Sequence, residues 1–187
     1  MTKTFLFILI ALVVVVGGFY ALNGYIYKEK QAKERPAPVL SYKDATYVVD
    51  GTRVKLENGF SEIEASPGSA SKIVTRYFGN EVTQDLDGDG REDIVFLLIQ
   101  EGGGTGVFFY VVAALNKEAG YEGSHALFLG DRIAPQTTEK GKGKIVIVNY
   151  AERAPDESFG ARPSIGKSLW LILDTKTMQF NETTKDF

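Results

Sequence analysis

An uncharged run near the N-terminal end limits what this chain can fold into more than any other feature. Residues 5–27 read FLFILIALVVVVGGFYALNGYIY, 23 residues without a charged side chain. As an α-helix rising about 1.5 Å per residue, such a run spans roughly 34 Å, enough to cross a hydrocarbon core of about 30 Å. Tyr20, Tyr25 and Tyr27 gather at its far end, where aromatic rings prefer the membrane interface. The sequence therefore predicts one uncleaved, single-pass transmembrane helix over residues 5–27.

A cleaved signal peptide is the main alternative to this anchor. Its apolar stretch is normally about 7–15 residues long and is followed by a site of small residues. Here the apolar run continues through Gly17-Gly18-Phe19-Tyr20, which favours the anchor. The charged, Pro-containing residues 28–40 (KEKQAKERPAPVL) are predicted to be a linker. The basic residues in this linker would by themselves keep the following domain in the cytoplasm.

The remaining residues, 41–187, are predicted to form a single β-rich domain. Short apolar and β-branched runs alternate there with turn residues, and no helical period is sustained. Eight strands are predicted: Thr46–Val49, Thr52–Leu56, Ser71–Phe78, Ile94–Ile99, Val107–Leu115, Ala126–Leu129, Lys144–Tyr150 and Ser168–Leu173. Asp50-Gly51 suits a type I′ hairpin turn, and Gly79-Asn80 is predicted to be a turn. The fold class expected is mainly β, an antiparallel sandwich, roll or partly open barrel, preceded by one transmembrane helix.

Two of these strands are expected at the centre of the fold. The runs 94–99 and 107–115 are continuously apolar, as expected for strands that are buried on both faces. The longest piece without a strand pattern is 153–166. A stretch of this length is either functional or merely a long connection.

One segment carries recognisable chemistry. Residues 85–93 read DLDGDGRED and place carboxylates at loop positions 1, 3, 5 and 9, with glycine at position 6. Calcium takes six to eight oxygen ligands, and alternate side chains of a tight loop can converge on one ion. The predicted ligands are Asp85, Asp87, Asp89, Asp93 and the carbonyl of Arg91.

The same residues would otherwise make an Asp-Gly-rich turn without metal. Four aspartates and Glu92 within nine residues would repel one another unless a cation lay nearby, which favours calcium. Phe96 stands where an EF-hand has its glutamate, and a strand rather than a helix is predicted to follow. With these few carboxylates we expect the micromolar-to-millimolar affinity of extracellular modules. Such a site would be filled outside the cell, so the domain is predicted to lie there despite the charge pattern of the linker.

The loop resembles the DxDGDGxxD calcium loops of FG-GAP repeats, with similarity to dockerin and thrombospondin type 3 loops. Over residues 45–173, runs such as TRYFGNE (75–81) and LGDRIAPQTT (129–138) resemble a family of small bacterial exported proteins, several of them lipoproteins. The resemblance implies export and gives no mechanism. The chain contains no cysteine, so an anchor helix would replace the lipid.

Composition excludes several function classes. Residues 36–187 carry 16 Lys+Arg against 22 Asp+Glu, and this acidic balance argues against nucleic acid as a partner. Without cysteine there is no disulfide, zinc-thiolate site or thiol nucleophile. His125 is the only histidine, and no nucleophile motif accompanies it.

The function expected is that of a membrane-anchored, calcium-stabilised module of the cell envelope, not an enzyme. Its partner would be an envelope polymer or another protein. The alternative is a glycan-directed hydrolase using acids such as Asp156 and Glu157. These two are adjacent in sequence, whereas paired catalytic acids face each other across about 5–9.5 Å.

Overall fold

The computed structural model describes residues 16–28, 40–158 and 160–184. The chain divides into two compact units, Met1–Ala37 and Pro38–Phe187. In the first unit, residues 16–28 are helical. Within the described part of the chain, no helix combines the length and apolar character needed to cross a membrane. Residues 5–15 of the predicted anchor and 29–39 of the predicted linker lie outside the described residues.

The second unit is built from strands, preceded by a 3-10 helix at Tyr42–Asp44. Its described residues form twelve strands: β1 (Thr46–Val49), β2 (Thr52–Lys55), β3 (Phe60–Glu64), β4 (Lys72–Gln84), β5 (Asp93–Gly102), β6 (Phe108–Lys117), β7 (Gly120–Gly123), β8 (Leu127–Asp131), β9 (Ala134–Lys140), β10 (Val146–Glu152), β11 (Ile165–Asp174) and β12 (Gln179–Thr183).

These strands form three antiparallel sheets. The largest runs β3-β4-β5-β6-β7, with β8 also paired to β6; the second runs β12-β11-β10-β9; and β1 pairs with β2 in a hairpin. One sheet is curled into a half-barrel. The prediction of a mainly β fold with antiparallel sheets is confirmed.

Strands β5 and β6 are buried on both faces, as their continuous apolar runs predicted. Successive side chains on a strand point to opposite faces, and here each face has its own core. Val95 and Leu97 pack with residues of β10 and β11 in one core. Phe96 and Leu98 pack with residues of the β1–β2 hairpin in the other. The central sheet is therefore covered on one side by the second sheet and on the other by the hairpin.

Of the two turns predicted from the sequence, one was wrong. Gly79-Asn80 does not end a strand: β4 continues through it to Gln84, with register shifts beside Gly79. Positive φ values at both residues (122° and 53°) bend the strand as a bulge, which needs the same permissive residues as a turn. At Asp50-Gly51 the predicted hairpin turn is confirmed, with φ of 47° and 77°.

Four strands were not predicted, namely β3, β7, β9 and β12. Each lies at an end of its sheet. Edge strands have one unpaired side and little buried surface, so their sequences are polar and lack the apolar pattern that marks central strands. The segment predicted to lack strands from 153 to 166 ends slightly earlier, because β11 begins at Ile165.

Candidate metal centre

The aspartate-rich loop connects β4 to β5, two neighbouring strands of the largest sheet. Leu86, between the first two aspartates, is 1% exposed and belongs to the core. Gly88 and Gly90 have φ of 90° and 85°, values that favour glycine. The buried leucine holds the loop against the sheet, and the glycines turn the chain so that alternate side chains converge.

Three of the predicted ligands lie together. Asp85, Asp87 and Asp89 each offer a carboxylate oxygen, and these oxygens all lie within 4.8 Å of one another. Asp85 and Asp87 are half-buried and Asp89 is exposed. Three converging carboxylates are hard ligands suited to Ca²⁺, with further oxygens left to water or backbone.

The loop's own backbone fixes these side chains. Asp85 accepts hydrogen bonds from the N–H groups of Gly88 (2.6 Å) and Gly90 (3.0 Å). Asp87 accepts one from Asp89 N (3.0 Å), and Asp89 accepts one from Arg91 N (2.9 Å). Each bond runs from a backbone N–H to an aspartate two to five residues earlier, so the carboxylates are oriented by the turn itself.

Asp93 lies outside this cluster of three carboxylates. Its side chain is fully buried, and it accepts hydrogen bonds from Leu86 N (2.8 Å, to Oδ2) and Asn116 N (2.8 Å, to Oδ1). Burial raises the pKa of Asp93, while the N–H donors of Asn116 and Leu86 oppose that rise. Asp93 thus closes the loop and ties it to β6; its role as a ligand stays a prediction.

Basic side chains from elsewhere in the chain surround the three carboxylates. Lys117, at the end of β6, forms an ion pair with Asp87, and the Lys144 ammonium lies beside Gly88, 3.0 Å from where a Cβ would stand. The hydrogen bond from Lys117 holds the pKa of Asp87 below its usual value and raises the pKa of Lys117. The chain therefore supplies part of the positive charge that the cluster needs.

Arg91 contributes through its side chain as well as its backbone position. Its guanidinium pairs with Asp89 and donates to the carbonyl of Asn116 (2.6 Å, from Nε). The arginine thus links the loop to β6 beside Lys117. A ligand role for the Arg91 carbonyl stays a prediction.

Lys117 and Asn116 were missed in the sequence because they lie more than 20 residues from the motif. The signal that could have found them is the antiparallel pairing of β5 with β6. Ile94 pairs with Ala114, so the end of β6 runs alongside the loop that precedes β5.

The acids named for the alternative hydrolase lie far from this arrangement in sequence. Asp156 and Glu157 are exposed on the loop between β10 and β11. Glu157 accepts a hydrogen bond from Ala154 N (3.0 Å) and so closes a turn of its own loop.

Comparisons with known proteins give no relative. No protein-family model matches the chain, and searches of curated proteins and of solved structures find no similar protein.

Proposed function

We propose that this protein is a membrane-anchored β-domain, stabilised by calcium and held outside the cytoplasm, that serves as a binding or structural module of the cell envelope. The observation that carries the proposal is the convergence of the Asp85, Asp87 and Asp89 carboxylates within 4.8 Å. Asp93 and the Arg91 carbonyl are the further ligands proposed from the motif.

Calcium suits this cluster better than magnesium does. Ca²⁺ accepts irregular shells of six to eight oxygens, whereas Mg²⁺ demands near-ideal octahedral geometry and gives up its waters reluctantly. Three carboxylates on one loop supply charge without forming an octahedron of ligands. An affinity between micromolar and millimolar follows from so few charged ligands, and it matches extracellular rather than resting cytoplasmic calcium.

Calcium would act on stability by tying three strands together. The loop follows β4, precedes β5 and contacts β6 through Lys117 and Asn116. An ion held by the loop fixes the point where these three central strands meet. Such a device suits a domain whose working environment contains calcium.

The anchor and the location rest on sequence. Residues 5–27 are proposed to span the membrane and 28–40 to hold the domain away from it. The resemblance to small exported bacterial proteins supports the same location. No nucleic-acid partner is proposed, because residues 36–187 are acidic.

A calcium titration of the full-length chain in nonionic detergent tests the metal site. We expect saturable binding of one Ca²⁺ and at least about tenfold weaker binding of Mg²⁺. Asp87→Asn should abolish binding, because the amide keeps the shape but removes the charge. Asp156→Asn, an exposed acid on another loop, is the matched control and should bind as the wild type does. Unchanged binding by Asp87→Asn would refute the site.

Protease added to intact protoplasts tests location. We expect removal of the β-domain while a fragment containing residues 5–27 stays in the membrane and resists carbonate extraction. Protection of the domain until the cells are lysed would place it in the cytoplasm. A soluble product beginning near residue 22 would show a cleaved signal peptide.

A further inference from the structure

An open cavity lies on the face of the central sheet opposite the core shared with β10 and β11. Three aromatic rings, Phe108, Tyr110 and Phe128, line this cavity of about 300 Å³ together with Asp50 and Gln100. Phe128 is 51% exposed, whereas Tyr110 beside it is 2% exposed and belongs to the core packed against the β1–β2 hairpin. The cavity is thus a solvent-accessible aromatic pocket with a carboxylate at its edge.

The pairing of β6 with β8 builds the aromatic wall. Phe108 and Tyr110 are two residues apart on β6 and so share a face, and Phe128 on β8 pairs directly with Tyr110. The Phe128 ring centre lies 5.4 Å from that of Tyr110 and 6.2 Å from that of Phe108. The rings are tilted by 56° and 54°, so they form a concave surface rather than a flat stack.

Gly106 makes room for this wall. A Cβ at Gly106 would lie 2.5 Å from Cζ of Phe108, closer than carbon atoms approach. The Phe108 ring therefore lies directly against the backbone of the glycine-rich segment 102–106. This packing gives the last glycine of that segment a role in shaping the pocket.

Asp50 gives the pocket its charge. It stands in the β1–β2 turn, and its Oδ2 accepts a hydrogen bond from the Tyr110 hydroxyl at 2.6 Å. This bond holds the carboxylate beside the rings and leaves Oδ1 for a ligand. Desolvation raises the pKa of Tyr110, and the bond to Asp50 adds to it, so the phenol stays neutral. Among the described residues that line the pocket, Asp50 is the only charged one.

From this geometry we propose that the Phe108–Tyr110–Phe128–Asp50 pocket binds a small organic cation, specifically a methylated ammonium group such as that of choline. The faces of aromatic rings carry negative potential and attract cations that shed water easily. Tilted rings around a carboxylate present both kinds of attraction to one positive centre. A volume of about 300 Å³ is at the small end of ligand pockets, and it accommodates a trimethylammonium headgroup.

A sugar is the competing ligand for an exposed aromatic surface. Sugars stack on a flat ring face and need several hydrogen-bond partners around it. Here the rings are mutually tilted, and Gln100 already donates to Thr75 (3.1 Å). The concave wall with one carboxylate therefore favours the cation.

Calorimetric titration of the wild-type full chain in nonionic detergent with two matched ligands tests the proposal directly. Choline and 3,3-dimethyl-1-butanol have the same shape, but only choline is charged. We expect choline to bind with a Kd on the order of 1 mM and its neutral isostere to bind about tenfold more weakly. Equal binding of the two would overturn the proposal, because it would show an apolar pocket without preference for charge. Binding of methyl glucoside without binding of choline would overturn it in favour of a sugar.

Two variants assign the binding to these residues. Asp50→Asn keeps the side-chain shape and tolerates the positive φ of 47°, so it should fold and weaken choline binding by about fivefold or more. Phe128→Leu should weaken it similarly, because it keeps an apolar side chain and removes a ring. Phe60→Leu, at a phenylalanine 46% exposed on β3, is the control and should leave binding unchanged. Wild-type affinity in both pocket variants would refute the site.

A phosphocholine titration separates two sources of the cation. Tighter binding of phosphocholine than of choline would indicate that the natural ligand carries its ammonium group on a phosphate, and weaker binding would indicate a free cation. Both results support binding of a methylated ammonium group. The inference rests on the proposed binding role, but calcium and choline are titrated separately. Choline binding without calcium binding would refute the metal site alone, and the reverse would refute this pocket alone.

Discussion

Replacing Lys117 with methionine is expected to tighten calcium binding about tenfold. The Lys117 ammonium pairs with Asp87, so an arriving Ca²⁺ must share this carboxylate with it or displace it. Methionine keeps most of the apolar length of lysine and removes the positive charge. The variant thus isolates the electrostatic conflict between lysine and ion.

The magnitude follows from the geometry of the shared carboxylate. An ion and an ammonium bound to the same carboxylate lie roughly 4–5 Å apart. Two unit charges at about 4 Å interact by about 1 kcal/mol in water, and a divalent ion doubles this to about 2 kcal/mol. Because the Lys117 side chain is 35% exposed and can turn towards solvent, we expect about 1–2 kcal/mol, or roughly a 5- to 30-fold lower Kd.

Calorimetric titration of wild type and Lys117→Met at low ionic strength measures this change. Without calcium the variant should be slightly less stable, by about 0.2–1 kcal/mol, because it loses a partly exposed ion pair. Lys55→Met, an exposed lysine on β2, controls for the change in net charge and should leave the Kd within about twofold of wild type. A Kd for Lys117→Met equal to or higher than that of wild type would refute the competition between lysine and calcium.

Two further predictions concern buried and paired carboxylates. Asp93→Asn should lower the free energy of unfolding by about 1–3 kcal/mol in EDTA. The carboxylate accepts hydrogen bonds from two backbone N–H groups, and the amide would turn its own NH₂ donor towards one of them. Denaturant titration measures this change, and a variant as stable as the wild type would contradict it. The Arg132 guanidinium holds the pKa of Asp131 below its usual value. That carboxylate therefore stabilises the fold above the ordinary aspartate pKa of about 4, and the stabilisation is lost as pH falls through the folded-state pKa. The free energies of unfolding of wild type and Asp131→Asn should thus differ at pH 6 and converge as the pH falls to 2. A difference that stays constant over this pH range would contradict the pairing of Asp131 with Arg132.

The sequence predicts central strands well and edge strands poorly, for a physical reason. The runs 94–99 and 107–115 are apolar at every position because both faces of these strands are covered, and this burial makes them recognisable in the sequence. β3 and β9 lie at sheet edges and read FSEIE and APQTTEK. Backbone hydrogen bonds to one neighbour hold them in place, and such bonds do not depend on side-chain type.

The metal centre likewise has a part that the sequence predicts and a part that it does not. The convergence of Asp85, Asp87 and Asp89 follows from alternate positions in a tight turn, which is local information. The pairing of Lys117 with Asp87 follows from the register of β5 with β6 and cannot be read from the loop. In the folded chain, backbone N–H groups and basic side chains relieve part of the repulsion between the aspartates that the motif alone suggests.

Thermal melting of the full-length chain in EDTA and in calcium tests the metal site most directly. An ion that binds only the folded state adds RT ln(1 + [L]/Kd), about 2.7 kcal/mol at a hundredfold excess over Kd. For a domain of this size the melting temperature should rise by roughly 5–10 °C. Asp87→Asn should melt at the same temperature in both buffers, whereas Asp156→Asn should show the full shift. Superimposable wild-type melting curves in EDTA and in saturating calcium would contradict the metal site, and with it the main argument for a domain outside the cytoplasm.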